Sequence, residues 1–208
     1  GNPALVDGVL YTTSDDAFAW AIEAATGREV WRTKIGLAAP TDTYSAIAHD
    51  GIVVLPATPE KWHPEAHKAD NGSPSCGTEE MVGLNATNGK ELWRYGVTER
   101  AGTIMYNPMA SIVDGSVIFD DYSGGIFRLS LRTGREEFFV PAPNPGTWST
   151  GGMLVGPNDR IYVARNLKSS VACNGRDGFV RAHDLKDGRL VWQRDFDRSL
   201  NVGLAVGP

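Results

Sequence analysis

One ten-residue pattern recurs four times along the 208-residue chain and leaves few folds open to it. Ile22-Glu23-Ala24-Ala25-Thr26-Gly27-Arg28-Glu29-Val30-Trp31 returns as Leu84-Asn85-Ala86-Thr87-Asn88-Gly89-Lys90-Glu91-Leu92-Trp93. It returns again as Leu129 to Phe138 and, more diverged, as His183 to Trp192. Each copy sets a glycine and a basic residue three or four places before an aromatic, and a fixed period of this kind marks a repeat architecture. An upstream signal travels with every copy: short β-rich runs joined by Asp7-Gly8, Asp50-Gly51, Asp114-Gly115 and the related Asn158-Asp159. Asp-Gly between apolar runs is a strong hairpin signal. A third β-rich run, clearest at Phe18 to Ala24 and Gly125 to Leu131, precedes the turn glycine, and a fourth carries the aromatic.

Each unit therefore reads as four antiparallel strands, and tandem units of this size predict an all-β chain folded as a β-propeller, each blade packed on the next. The anchors Trp31, Trp93, Phe138 and Trp192 lie 62, 45 and 54 residues apart. The shortest gap matches a bare blade of about 40 to 45 residues. The surplus falls between the second and third strands of blades two and four. We accordingly expect blade one over residues 3–36 and blade two over 45–97 with an insertion at 57–78. Blade three is expected over 108–143 and blade four over 151–196 with an insertion at 166–177. Residues 201–208 resemble the first strand of a fifth blade, so the four complete blades are expected to be part of a ring of seven or eight. Gly27, Gly89, Gly134 and Gly188 are expected at tight turns, and the four aromatics at the packing between blades.

The pattern Ala-[Leu/Ile]-[Asp/Asn/Glu]-x-x-Thr-Gly-[Lys/Arg]-x-x-Trp, best matched by Ala21 to Trp31 and Gly83 to Trp93, resembles the tryptophan-docking repeat of the PQQ-binding-like β-propeller superfamily. That superfamily includes quinoprotein dehydrogenases, outer-membrane assembly scaffolds and sensor domains, so the resemblance implies a fold rather than one function. In the dehydrogenases it implies PQQ stacked on a Trp, a Ca²⁺ held by carboxylate and Asn, a catalytic Asp and an adjacent Cys-Cys pair. This chain has two cysteines and no Cys-Cys pair. Trp148, outside the repeat pattern, is the candidate for ring stacking on a cofactor.

Composition narrows the partners. A net charge of −5 gives no basic field for nucleic acid. No apolar run approaches the roughly 20 residues that span a bilayer as a helix. Cys76 and Cys173 sit one in each insertion, and we expect them to form a disulfide, which argues for an oxidising, extracytoplasmic compartment. His63 and His67 have the i, i+4 spacing that would align two metal ligands on a helix. Their loop is flanked by Pro and Gly, and only Asp70, Glu79 and Glu80 lie near as further ligands, so a solvated loop is the reading taken. His183 stands where the other copies have Ile22, Leu84 and Leu129, and is read as a hydrogen-bonded core histidine. Arg165, Asn166 and Lys168 follow the second strand of blade four and could line one face with the insertions. The expected function is a non-catalytic interaction scaffold with a protein partner or a place in a multi-subunit complex. The alternative is a PQQ-dependent alcohol or sugar dehydrogenase using PQQ and calcium.

Overall fold

A computed structural model describes residues 3–14, 16–36, 45–59, 78–105, 109–142, 147–148, 152–167, 177–200 and 204–205. Cys76, Cys173, His63, His67, Asp70 and Lys168 lie outside them, as do most of residues 201–208. The strands are β1 (Ala4–Val6), β2 (Val9–Thr13), β3 (Phe18–Glu23), β4 (Glu29–Lys34), β5 (Ile47–His49), β6 (Ile52–Ala57), β7 (Glu80–Asn85) and β8 (Glu91–Gly96). After the short helix α1 (Val97–Ala101) come β9 (Ser111–Val113), β10 (Ser116–Asp120), β11 (Ile126–Ser130) and β12 (Glu136–Val140). The last sheet holds β13 (Thr147–Trp148), β14 (Met153–Gly156), β15 (Arg160–Leu167), β16 (Gly178–Asp184) and β17 (Leu190–Phe196). They form four separate antiparallel meanders, β1 to β4, β5 to β8, β9 to β12 and β14 to β17. β1 lies beside β5 and β5 beside β9, so successive blades stand side by side with their first strands innermost. This is the propeller arrangement that the repeat predicts.

The hairpin turns use the chemistry their residues allow. Asp7, Asp50 and Asp114 sit at φ 48 to 50° and the glycines after them at φ 72 to 76°, while Asn158 and Asp159 at φ 61° and 52° replace them in blade four. Two successive left-handed residues make the turn whose twist suits a two-residue hairpin, and Asn, Asp and Gly tolerate that conformation best. The later turn is tied to the hairpin by one repeated bond. The N–H of Ala24, Ala86, Leu131 and Leu185 donates to the carbonyl of Gly8, Gly51, Gly115 and Asp159 respectively, at 2.8 to 2.9 Å.

The same residues receive the neighbouring blade. Trp31 Nε1–H donates to the Ala86 carbonyl and Trp93 Nε1–H to the Leu131 carbonyl, both at 2.8 Å. Each indole lies over a turn glycine: a Cβ on Gly89 would come within 2.6 Å of Trp31, and one on Gly134 within 2.6 Å of Trp93. A register shift recurs at Ala21/Ile22, Gly83/Leu84, Arg128/Leu129 and Ala182/His183. This β-bulge adds local twist beside each anchor. Opposite the anchors stand Ala21 and Gly83, small enough to leave room for an indole.

The seam between blades three and four is built differently. Phe138 packs on Gly188, 3.0 Å from where a Cβ would be, and has no N–H to give. Its cross-strand partner is Arg128, whose guanidinium donates to the Leu185 carbonyl at 2.6 Å. An Arg–Phe pair thus does what an Ala–Trp or Gly–Trp pair does elsewhere. Trp192 is 43% exposed, against 8% for Trp31 and 7% for Trp93, and nothing lies within 4 Å of a Cβ on Gly27. Among the described residues no strand pairing links blade four to blade one.

Apolar packing follows the seams. One cluster joins blades one and two through Tyr11, Trp31, Val53, Leu55, Val82 and Leu84. A second joins blades two and three through Met81, Trp93, Val117, Phe119, Phe127 and Leu129. The third, between blades three and four, is smaller and holds Ile118, Ile126, Met153, Ile161, Val163 and Leu185.

A candidate functional site on the loop face

In an up-and-down meander both turns that flank the repeat motif leave at one end, while the connections between second and third strands, and between blades, leave at the other. Buried polar side chains gather at the second end: Thr58, Thr78, Glu79, Asp120, Asp121, Thr147, Arg165 and Asn166. The sites are densest around blades three and four. β10 ends at Asp120 and Asp121 follows it, where the corresponding positions hold Thr13-Ser14 and Pro56-Ala57. Arg165 extends from β15 to Asp120 Oδ2 at 2.5 Å, and both side chains are almost fully buried. Burial pushes the Asp120 carboxyl up from its usual range, and the Arg165 charge opposes that shift.

Asp121 is held by the backbone that follows it. Its Oδ1 accepts from the Gly124 and Gly125 N–H groups at 2.8 and 2.9 Å. Burial nevertheless pushes its carboxyl up to about 6, the Asp120 charge adding to the rise and the Gly124 and Gly125 bonds and Arg165 resisting it. The side chain borders a cleft of about 470 Å³ lined also by Arg100, Thr103, Ser123, Phe139 and Pro141. Ser123 donates its hydroxyl to Thr103 Oγ1 at 3.2 Å, and Arg100 sits over the Phe139 ring while pairing with Glu136. α1 brings Arg100 there, with Gly102 in the left-handed conformation ending the helix at φ 69°. A buried carboxyl of perturbed pKa in a cleft of ligand size is a candidate site on physical grounds.

Trp148, read from sequence as lying between blades, is part of blade four's sheet: β13 pairs with β15 through Thr147 and Trp148 opposite Leu167 and Asn166. Its indole stacks on Tyr122 with centroids 6.5 Å apart and planes 26° from parallel. Thr147 donates to the Ser123 carbonyl at 2.5 Å. Asn166 clamps the backbone beyond β17, donating to the Leu200 carbonyl at 3.1 Å and accepting from the Leu200 N–H at 2.5 Å. Glu80 pairs with Arg94 and Glu79 is buried. Among the described residues no group of three or more His, Cys, Asp or Glu could hold a metal ion. His183 is buried and its Nδ1–H donates to the Gly188 carbonyl at 2.8 Å. Burial holds its pKa below the ordinary value.

The sequence reading overlooked the Asp120-Asp121 pair. The signal was there in the repeat: Asp120 stands where the other copies carry Thr13, Pro56 and Ala164, and Asp121 where blades one and two carry Ser14 and Ala57.

A family model described as outer membrane protein assembly factor BamB matches residues 1–174. The chain belongs to this family of PQQ-like propellers. It is 24% identical to the outer membrane protein assembly factor BamB of Nitrosomonas eutropha, covering 96% of this chain and 52% of the relative. It is 26% identical to the tetrathionate hydrolase of Acidithiobacillus ferrooxidans, covering 98% of this chain and 38% of that protein. A europium-containing methanol dehydrogenase superposes on 93% of the chain with a TM-score of 0.65 at 12% identity, using 41% of its own length. The BamB-like chain therefore spans about half or less of these relatives. Among the described residues no helix is long and apolar enough to cross a membrane.

Proposed function

We propose that this BamB-like propeller is a non-catalytic scaffold that holds a protein partner across its loop face, in an extracytoplasmic compartment and as part of a larger assembly. The observation that carries the reading is the way loop-face polar groups engage one another. Asp120 is taken by Arg165, Asp121 by two glycine N–H groups, Thr147 by the Ser123 carbonyl and Asn166 by the Leu200 backbone. Polar groups committed to each other present a preformed surface with little reorganisation left to undergo on docking. The relatives named as outer membrane protein assembly factors support a protein partner and a location outside the cytoplasm. The disulfide between Cys76 and Cys173 is part of the proposal, and mass measurement with and without reductant tests it.

The residues described do not fit PQQ and calcium. The Trp148 ring is stacked on Tyr122, and the paired carboxylates Asp120 and Asp121 bind an arginine and the backbone rather than turning their oxygens to a shared cation. A second reading, catalysis in the cleft beside Asp121, draws support from that carboxyl's raised pKa. Addition of PQQ with Ca²⁺ tests the scaffold against the quinoprotein dehydrogenase alternative: the scaffold predicts unchanged tryptophan fluorescence and no dye-linked alcohol oxidation. Quenching together with turnover overturns it.

A further inference from the structure

The seam between blades three and four departs from the repeat at three positions that meet in one crevice. On the second strand, Ala57 of blade two and Asp121 of blade three correspond to Arg165. On the third strand, Val82 and Phe127 correspond to Arg181, and Leu84 and Leu129 to His183. The register places them on one face, with Arg165 opposite Phe179, Val163 opposite Arg181 and Ile161 opposite His183. Where the other two seams are filled by aliphatic and aromatic side chains, this one holds, besides Arg128, two further guanidinium groups and an imidazole.

Arg165 is 1% exposed. Two of its nitrogens are used, one on Asp120 and one on the Ala164 carbonyl, but its buried Nε has no hydrogen-bond partner among the described residues. A buried donor left unpaired is destabilising, so its persistence calls for a ligand. Beside it is a crevice lined by Gly124, Arg165, Phe179, Arg181 and His183, with about 10 Å³ of space open to a water-sized sphere, the room one water-sized species needs. Gly124 keeps it open: at φ +100° it carries no side chain, and a Cβ there would come 2.6 Å from Nε. Arg181 rests on Phe179 and donates from Nε to Gln193.

We propose that this crevice binds a single small monatomic anion, of the halide class, held by the Arg165 Nε–H with Arg181 and His183 around it. A space that admits about one water-sized sphere suits a monatomic anion better than a polyatomic one. The carboxylates near these groups are already placed: Asp120 on Arg165, Asp121 on the glycine N–H groups, and Asp195 acting on Arg181. Burial above all, and repulsion from Arg165 with it, pull both Arg181 and His183 toward their neutral forms, and an anion between them opposes that pull. Halide binding and protonation of His183 are therefore coupled.

The test compares chloride and bromide with gluconate at equal ionic strength on the whole protein. We expect a saturable rise in melting temperature with the halides alone, and an upward shift of the His183 titration by NMR, with His49, His63 and His67 as internal references. Arg181→Val, the residue of blade two, should weaken chloride roughly tenfold, as loss of one charge-assisted contact implies. It should also abolish the His183 shift. His183→Leu, the residue of blades two and three, is the second variant and should weaken the thermal response. Arg165 itself is left intact, since its removal strands Asp120. Equal melting temperatures in all three salts, with a stationary His183, mean that the crevice holds only water and overturn the proposal. A halide response unchanged in both variants overturns it too.

Discussion

At the scale of single residues, the turn glycines separate two costs that usually come together. Gly27 and Gly134 share a left-handed backbone, at φ +74° and +66°, yet only Gly134 lies beneath an indole. Alanine at Gly27 should cost about 1–2 kcal/mol from backbone strain alone. At Gly134 the displaced Trp93 adds a further 1–3 kcal/mol or so of overpacking. Denaturant unfolding of the two variants measures the difference. Asp121 offers a second test. Its native carboxyl titrates near 6 against an unfolded value of 3.8, so between those values the native state binds more protons than the unfolded one. The stability this confers is full below the lower value and is lost as pH rises through the upper one. Asp121→Asn, which keeps the acceptor for Gly124 and Gly125, should therefore stabilise at pH 7.5 by about 3 kcal/mol, each pK unit being worth about 1.4 kcal/mol. Near pH 4 the gain should be almost nil, as denaturation at both values would reveal.

At the scale of elements, each seam is a unit of anchor, cross-strand partner and receiving carbonyl. Arg128→Ala leaves the Leu185 carbonyl without its donor and should destabilise by about 1.5–3 kcal/mol. Phe138→Trp alone should also destabilise, because an indole then meets a guanidinium where the other seams offer Ala21 or Gly83. The double variant recreates an Ala–Trp pair and should recover stability, with a coupling of at least about 1 kcal/mol in the cycle. Simple additivity would show that the two residues do not work as a pair. These units also decide what was legible. The spacing of turn glycine and aromatic four residues later recurs in every blade, so it is plain in the sequence, as are the Asp-Gly hairpins. Arg128 and Phe138 are each departures from the repeat, but only the register shows one compensating the other. The same holds for Arg165, Arg181 and His183, which are 16 and two residues apart in sequence. Single departures can be read from a repeat; their meeting across a sheet depends on strand pairing. Trp148 was misplaced because a two-residue strand carries almost no periodic signal.

At the scale of the whole molecule, a propeller is close to a one-dimensional stack whose stability is the sum of blade and seam terms. The seams here are unequal: two are closed by large apolar clusters, and the third is smaller and carries charge. β17 is exposed along its length. Hydrogen exchange should therefore find blade four opening at lower free energy than blades two and three, with β6, β7, β10 and β11 the most protected strands. Uniform protection across the four blades would contradict that ordering. The seam also has a direction. At the first two seams a blade gives an indole from its outermost strand and the next blade receives it at a backbone carbonyl beside a turn, so the two surfaces that meet are not the same surface. Such a head-to-tail contact adds members without limit unless rotation brings it back on itself. The carbonyl of Ala86, Leu131 or Leu185 recognises that a neighbour is present, and carries no information about how many neighbours there are. Within this family, then, a gene could gain or lose a blade without inventing a new interface, and the ring's membership is set by the angle between blades.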